Sequence, residues 1–224
     1  YSFFILTAVV TLCIGKNFGL IGKLTHSLFK NYAEKIQADF HIIRQRKFSH
    51  LPIPFEKYQL FHLLKGYDRV LFLDTDVVVR PDSPNIFDIV PEGCFGAYLT
   101  NTHSRCHDKS IEEIQKQLPD LTWKNDYFNS GVMVLNREHK SLFNFDHGTF
   151  EGFYEQTQLN YNLQKLQIPL YDITYKFNHV ELIGVPISKR STFFIHYAGP
   201  GHGQGPKHYQ IAKDFPELRP FVNF

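Results

Sequence analysis

Two aspartates stand directly after an apolar run, Val70–Leu73, and only one residue separates Asp74 from Asp76. Side chains alternate between the two faces of an extended chain, so this spacing puts both carboxylates on one side. Two carboxylates at the end of a buried strand repel each other and are poorly solvated unless a cation lies between them. The pattern therefore predicts a site for a hard divalent ion, Mg²⁺ or Mn²⁺, and such ions commonly bind with a diphosphate. The alternative is a pair of surface aspartates that cap a turn or a helix.

Two further polar segments adjoin apolar ones. Asn129, Ser130 and Gly131 stand directly before the apolar run Val132–Leu135. A glycine there lets the backbone approach a ligand closely, and an asparagine amide can bind sugar hydroxyls. The alternative for this segment is a simple turn. Residues 155–160 are polar except for Leu159 and stand within a helical stretch, which indicates either a ligand-binding face or a solvated one.

A fourth segment contains a histidine at the end of an apolar run and then a glycine-rich stretch. His196 is suited to be a metal ligand, and the loop 199–206 with Lys207 after it could cradle phosphate oxygens. A structural histidine and a flexible loop are the alternatives.

Apolar periodicity predicts alternating strands and helices. Strands are expected at Phe3–Ile14, Asp39–Ile43, Val70–Leu73, Val77–Val79, Val132–Leu135 and Phe193–Tyr197. Helices are expected at Leu20–Ile36, Phe55–Leu64, Ile111–Leu118 and Phe150–Leu166. This order predicts an α/β fold with a mostly parallel central sheet flanked by helices. Ligands bind beyond the carboxyl ends of the strands in such sheets, which is where the polar segments stand.

Composition limits the class of protein. The 224 residues are 43% hydrophobic and 16% aromatic, which excludes a disordered chain and fits a single domain over 1–224. A net charge of +2 is too balanced for a nucleic-acid-binding protein. The absence of a Met before Tyr1 is consistent with a domain taken from a longer protein.

Cysteine usage and targeting signals bear on the compartment. Three cysteines without a C-x-x-C pair argue against a disulfide framework and a thiolate metal site. The apolar run Phe3–Val10 has no basic segment before it and is too short to span a membrane. With no Asn-x-Ser/Thr sequon, these features favour a cytoplasmic location.

The four polar segments, taken in this order, resemble the motifs of glycosyltransferase family 8, the glycogenin-like and lipopolysaccharide galactosyltransferase-like group. The resemblance extends from about residue 5 to about residue 210. It implies a GT-A fold and the transfer of a hexose from a nucleotide-sugar donor, usually UDP-linked, to a carbohydrate, glycan or protein acceptor. It also implies Mn²⁺ (or Mg²⁺) as cofactor and retention of anomeric configuration.

The resemblance assigns roles residue by residue. Asp74, Asp76 and His196 match the metal ligands, and Thr75 lies between the two aspartates in the same donor-binding motif. Lys57 stands where the family has a basic residue near the donor, and we expect it to stabilise the departing diphosphate.

Other matches concern the sugar, the diphosphate and the base. Asn129 and Ser130 match the loop that binds the donor sugar in the family, and Gln156 matches the glutamine next to the reacting anomeric carbon. The remaining expected donor contacts are Gly199 and Lys207 for the diphosphate, and Thr11 and Leu12 for uracil.

Three positions depart from the family pattern. Glu155 replaces the aspartate that usually precedes the glutamine, and it is counted with Gln156 and Lys57 among the candidate catalytic residues. Residues 201–205 lengthen the segment before Lys207, and His208-Tyr209 replaces the usual Pro-Trp. Two alternatives stay open: a haloacid-dehalogenase-type phosphatase with Asp74 as phosphoryl acceptor, and an inactive protein that binds nucleotide sugars.

Overall fold

The computed structural model describes residues 5–100, 107–117, 119–120, 127–145, 155–180, 189–199 and 206–221. The strands in these ranges are β1 Thr7–Leu12, β2 Asp39–Ile43, β3 Arg69–Asp74, β4 Val77–Val79, β5 Phe95–Leu99, β6 Phe128–Asn136, β7 Leu170–Asp172, β8 His179–Val180 and β9 Phe194–His196. The α-helices are α1 Lys16–Lys35, α2 Leu60–Leu63, α3 Asp108–Gln117, α4 Glu155–Leu166 and α5 Lys207–Asp214. Short 3₁₀ helices occur at Ile53–Gln59, Ile86–Asp88, Arg137–Phe143, Lys189–Ser191 and Pro216–Phe221.

Six strands form the central sheet in the order β2-β1-β3-β6-β5-β7. The pairs β1/β2, β1/β3 and β5/β7 are parallel, whereas β6 runs antiparallel to both β3 and β5. A smaller sheet has the order β4-β9-β8. The predicted α/β fold with a mostly parallel sheet is confirmed.

The sheet is covered on both faces because the middle residues of its central strands are apolar. In β3, Val70 and Phe72 belong to one buried cluster, while Leu71 and Leu73 belong to the cluster on the opposite face. Residues of α4 pack in the first cluster and residues of α1 in the second. This is the pattern expected for a buried parallel strand, where hydrophobic residues do not alternate with polar ones.

Several boundaries differ from the sequence prediction. The segment predicted as one helix, Phe55–Leu64, is a 3₁₀ helix followed by the four-residue helix α2. A proline at its start and the buried Glu56, which accepts hydrogen bonds from the backbone of residues 47 and 48, hold this segment in a tighter turn. Periodicity also missed β5, β7 and β8. The parts of the predicted elements at residues 3–4, 118 and 150–154, and the loop residues 200–205, lie outside the described residues.

Strand direction places the polar segments at one edge. The parallel strands β1 and β3 end together, since Leu12 pairs with Asp74. The antiparallel β6 begins at that edge, which brings Asn129 and Ser130 there. Within the described residues, no helix is both long enough and apolar enough to cross a membrane.

Candidate metal and donor site

The two aspartates lie on either side of a turn. β3 ends at Asp74, and Thr75 and Asp76 turn the chain into β4, so the segment is not extended as the sequence predicted. The Thr75 carbonyl accepts a 2.8 Å hydrogen bond from the Thr25 hydroxyl in α1. The Thr75 hydroxyl donates to the carbonyl oxygen of Leu12. The turn is therefore fixed to both α1 and β1.

His196 reaches the same place from a distant part of the chain. β9 runs antiparallel to β4 and pairs His196 with Val77, the residue after Asp76. The imidazole Nε2 lies 3.3 Å from Asp76 Oδ1 and 3.7 Å from Asp74 Oδ2. One ligand atom from each of the three residues lies within 4.8 Å of the others. The structure thus brings together the three residues predicted as metal ligands, a set of oxygen and imidazole donors that fits a divalent ion.

Gly131 makes room for the imidazole ring. A Cβ atom at this position would lie only 2.0 Å from His196 Cε1, closer than any real contact. A close approach of the backbone to a ligand was expected at this glycine, but the atoms nearest to the position of its missing Cβ are those of the histidine ring.

Lys57 lies beneath the aspartates and is almost fully buried. Its ammonium Nζ is 2.7 Å from Glu155 Oε1, 3.1 Å from Asp74 Oδ1 and 3.1 Å from the Ser130 hydroxyl oxygen. Burial by itself disfavours the charged form, but the carboxylates of Asp74 and Glu155 outweigh it and raise the pKa of Lys57 above its ordinary value. Lys57 is therefore a permanent cation whose hydrogen-bond donors are used within the protein.

Lys207 is a second lysine of this site and forms an ion pair with Asp76. It is the first residue of α5, and its ammonium contacts the Asp76 carboxylate. Burial disfavours ionisation of Asp76, but His196 and Lys207 outweigh that effect and hold the pKa of Asp76 below its ordinary range. Asp76 is therefore ionised at neutral pH, as a metal ligand must be.

The residues predicted to hold the donor sugar form one hydrogen-bonded group. Gln156 Oε1 accepts from the Ser130 backbone at 3.0 Å and from Asn129 Nδ2 at 3.1 Å. The Ser130 hydroxyl donates to Glu155 Oε1 at 3.0 Å. Asn129 and Ser130 lie inside β6 rather than before it, where a shift in the β5–β6 register interrupts regular pairing.

Asn178 was not predicted from the sequence. This fully buried residue donates from Nδ2 to Asn129 Oδ1 at 2.9 Å, and its Oδ1 lies 3.0 Å from His196 Nδ1. No spacing in the sequence signals it, since it stands between Phe177 and His179 in a stretch without a motif.

The remaining predicted donor contacts lie around this group. Thr11 is buried with its hydroxyl oxygen 3.3 Å from that of Thr75, so it helps to hold the turn, as does the Leu12 carbonyl. Gly199, three residues after His196, has a φ of 76°, a left-handed conformation that favours glycine.

Comparison with known proteins decides the class. A model of the family described as "Glycosyl transferase family 8" matches residues 21–201. The chain belongs to glycosyltransferase family 8. Family membership selects glycosyl transfer over the phosphatase alternative, so the protein is a glycosyltransferase. Members of this family generally depend on a divalent metal, and the Asp74, Asp76 and His196 cluster fits such an ion. No curated protein matches the sequence.

Solved structures show the same GT-A fold at low sequence identity. An active-site mutant of LgtC is 16% identical with a TM-score of 0.66, and the match covers 97% of this chain and 96% of that one. A glycosyltransferase involved in glycosylation of the major capsid of PBCV-1 is 14% identical with a TM-score of 0.65, covering 92% and 98%. The bifunctional glycosyltransferase WbbM is 15% identical with a TM-score of 0.63, covering 89% of this chain and 47% of WbbM. The chain thus spans about half the length of WbbM.

Proposed function

We propose that this chain transfers a hexose from a nucleoside diphosphate sugar, with UDP as the nucleotide, to a hydroxyl of a carbohydrate, glycan or protein acceptor. The observation that carries the proposal is the cluster of Asp74, Asp76 and His196 with a lysine on each side. A structure of LgtC with donor and acceptor sugar analogs, matched at a TM-score of 0.59 and 14% identity, supports this type of substrate pair. The proposal takes residues 1–224 as one transferase domain.

Asp74, Asp76 and His196 would hold the ion, for which we propose Mn²⁺ with Mg²⁺ as the alternative. The ligand atoms of both carboxylates and of the imidazole lie close together, and the absence of a Cβ atom at Gly131 leaves room for the imidazole ring. When bound, the ion acts as a Lewis acid toward the diphosphate.

The two lysines have different tasks in this proposal. Lys207 reaches Asp76 from α5 and is the cation that binds the diphosphate and stabilises its charge as it departs. The Lys57 ammonium contacts Asp74, Glu155 and Ser130, so it affects the nucleotide sugar through the positions of these three residues. Gly199 supplies the turn before the segment that leads to Lys207.

The remaining residues bind the sugar and the base. We assign Asn129, Ser130 and Gln156 to the donor sugar, since their side chains form one group at the edge where β3 ends. For the base we assign the end of β1, at Thr11 and Leu12, where Thr75 ties that strand to the metal-binding turn.

The surroundings of Gln156 favour one route to retention of configuration. Its Oε1 already accepts hydrogen bonds from Asn129 Nδ2 and from the Ser130 backbone, and these withdraw electron density from an oxygen that is a weak nucleophile. We therefore propose front-face attack. The bond from the anomeric carbon to the phosphate oxygen breaks, the acceptor oxygen bonds to that carbon on the same face, and the acceptor proton passes to the departing phosphate oxygen.

Thermal unfolding with UDP and Mn²⁺ tests this proposal. At a ligand concentration about 100 times Kd, linkage adds about 2.7 kcal/mol to stability, which raises Tm by about 5–10 °C for a chain of this size. The Asp76→Asn variant removes a carboxylate charge from the cluster and should lose this shift.

The matched control is Asp82→Asn, which changes an exposed aspartate that forms an ion pair with Arg80. It should keep the full shift. An equal shift in wild type and Asp76→Asn, or none in wild type, contradicts the metal assignment. A shift without UDP release from any UDP-sugar identifies an inactive binding protein instead of a transferase.

A further inference from the structure

A chain of side-chain amides joins the proposed metal ligand His196 to the proposed donor-sugar residue Gln156. His196 Nδ1 lies 3.0 Å from Asn178 Oδ1, Asn178 Nδ2 donates to Asn129 Oδ1 at 2.9 Å, and Asn129 Nδ2 donates to Gln156 Oε1 at 3.1 Å. Asn178 is fully buried at the centre of this chain. A buried amide in this position determines how its neighbours are oriented, because each contact needs one donor and one acceptor.

Two backbone groups fix the direction of the chain at its far end. The Gly131 backbone N–H donates to Asn129 Oδ1 at 2.9 Å, and the Ser130 backbone N–H donates to Gln156 Oε1 at 3.0 Å. A backbone N–H can only donate, so the side-chain atom facing it must be an oxygen in both cases. Asn129 must therefore turn its Nδ2 toward Gln156 and its Oδ1 away from it.

The same logic fixes the next two members. Because Asn129 presents Oδ1, only the Nδ2 group of Asn178 can face it. Asn178 must then present Oδ1 to His196, and an oxygen acceptor requires a proton on Nδ1 of the imidazole. In a neutral imidazole the other nitrogen, Nε2, keeps its lone pair, and this is the atom that faces Asp74 and Asp76.

We propose that Asn178 is a positioning residue that holds His196 in the Nδ1–H tautomer with Nε2 free to bind a metal. Asn178 also donates to Asn129, which in turn donates to Gln156. The orientation of the His196 ring is therefore coupled, through these two asparagines, to Gln156 and to the part of β6 that contains Ser130. The imidazole ring of His196 also packs directly against Gly131, where it occupies the place that a Cβ atom would take. The effect on catalysis rests on the proposed function, but the tautomer of His196 does not.

The test is the imidazole tautomer in the metal-free protein, read by long-range ¹H–¹⁵N correlation spectra, which distinguish the protonated from the unprotonated nitrogen of a neutral ring. Wild type should show Nδ1 protonated at His196. Asn178→Ala removes the acceptor, so the Nε2–H tautomer should become populated. Affinity for Mn²⁺ alone should then fall at least about tenfold, the effect commonly seen when the partner of a ligating histidine is lost.

Asn178→Asp separates the two contacts of this residue. A carboxylate still accepts from His196 Nδ1, so Nδ1 should stay protonated and Mn²⁺ should still bind, whereas the donor to Asn129 is lost. Release of UDP should therefore fall in this variant even with Mn²⁺ bound. This variant also decides the matter if Asn178→Ala does not fold.

Asn136→Ala is the matched control, because Asn136 is also buried and donates to the Cys94 carbonyl at the opposite end of β6. It should lower stability without changing the tautomer of His196. The proposal is overturned if Asn178→Ala keeps the wild-type tautomer, if Asn178→Asp switches it, or if Asn136→Ala changes it equally. A protein without transferase activity that still gives the predicted tautomers contradicts only the proposed function.

Discussion

Lys57 and Lys207 each form an ion pair with one of the two aspartates, Asp74 and Asp76, but occupy different environments. The Lys57 side chain is 4% exposed and is held by Asp74, Glu155 and Ser130. The Lys207 side chain is 21% exposed and contacts Asp76 at the edge of the site. One ammonium is part of the protein interior, whereas the other can reach a ligand.

This difference separates structural charge from functional charge. Removal of the buried Lys57 leaves Asp74 and the buried Glu155 without their cation, which is costly because an uncompensated charge then stays in the interior. Removal of Lys207 leaves the buried Asp76 with His196 still 3.3 Å from its carboxylate, and water can enter the place of the partly exposed lysine, so the loss of stability should be smaller. The two lysines should therefore respond differently to the same substitution.

The largest expected effect is that of Lys57→Met. It leaves Glu155 and Asp74 unpaired and should lower the free energy of unfolding by about 3–5 kcal/mol, measured by urea denaturation. Lys65→Met, which changes an exposed lysine shortly after α2, is the control and should cost less than about 0.5 kcal/mol. Equal losses in the two variants would show that Lys57 is not a structural charge. Adding Glu155→Gln to Lys57→Met should restore part of the stability, since it removes one of the two uncompensated carboxylates.

Lys207→Met should change ligand binding more than stability. Asp76 is buried, but water can replace the partly exposed Lys207 and His196 stays beside the carboxylate, so we expect a smaller loss of unfolding free energy than in Lys57→Met. Affinity for UDP with Mn²⁺ should fall about tenfold or more, because hydrogen bonds to charged groups contribute about 1.5–3 kcal/mol. Isothermal titration measures this, with Lys213→Met on the same helix as the control. Unchanged UDP affinity in Lys207→Met would remove this lysine from the diphosphate site.

The smallest effect concerns Glu56, the residue before Lys57 on the same 3₁₀ helix. Burial raises the pKa of Glu56, but hydrogen bonds from the backbone of Lys47 and Phe48 and from two side chains outweigh it and hold the pKa below its ordinary value. The folded state thus binds protons less readily than the unfolded state. The resulting stabilisation is present above the ordinary pKa of glutamate and is lost as pH falls through the folded value.

Glu56→Gln should therefore flatten the acid side of the stability profile, with uptake of up to about one proton fewer on unfolding. Urea denaturation between neutral and acidic pH measures the slope, and Glu34→Gln on the exposed face of α1 should follow wild type. A slope in Glu56→Gln that equals the wild-type slope would show that burial of Glu56 is unrelated to its ionisation. The burial of Glu56 next to Lys57 would then not indicate that its charge stabilises the fold.

Local patterns were sufficient to predict the centre of the site. The apolar run of β3 requires a buried strand, and polar residues at its end must lie at the edge of the sheet, so Asp74 and Asp76 were predictable. His196 was predictable for the same reason, since it ends another apolar run.

The rest depends on contacts between distant segments, which periodicity cannot show. Lys207 meets Asp76 across 131 residues, and Asn178 stands in no motif although it joins two parts of the site. The direction of β6 and the existence of β5 depend on pairing within the sheet. The 3₁₀ form of Ile53–Gln59 depends on how Glu56 is held by a neighbouring loop.

The most direct test of the central claim is the release of UDP from a panel of UDP-sugars in the presence of Mn²⁺, with and without a chelator. The account predicts that wild type releases UDP from at least one hexose donor, that the chelator stops the reaction, and that Mn²⁺ in excess restores it. Release that is unaffected by the chelator, or no release from any donor, contradicts metal-dependent transfer at Asp74, Asp76 and His196.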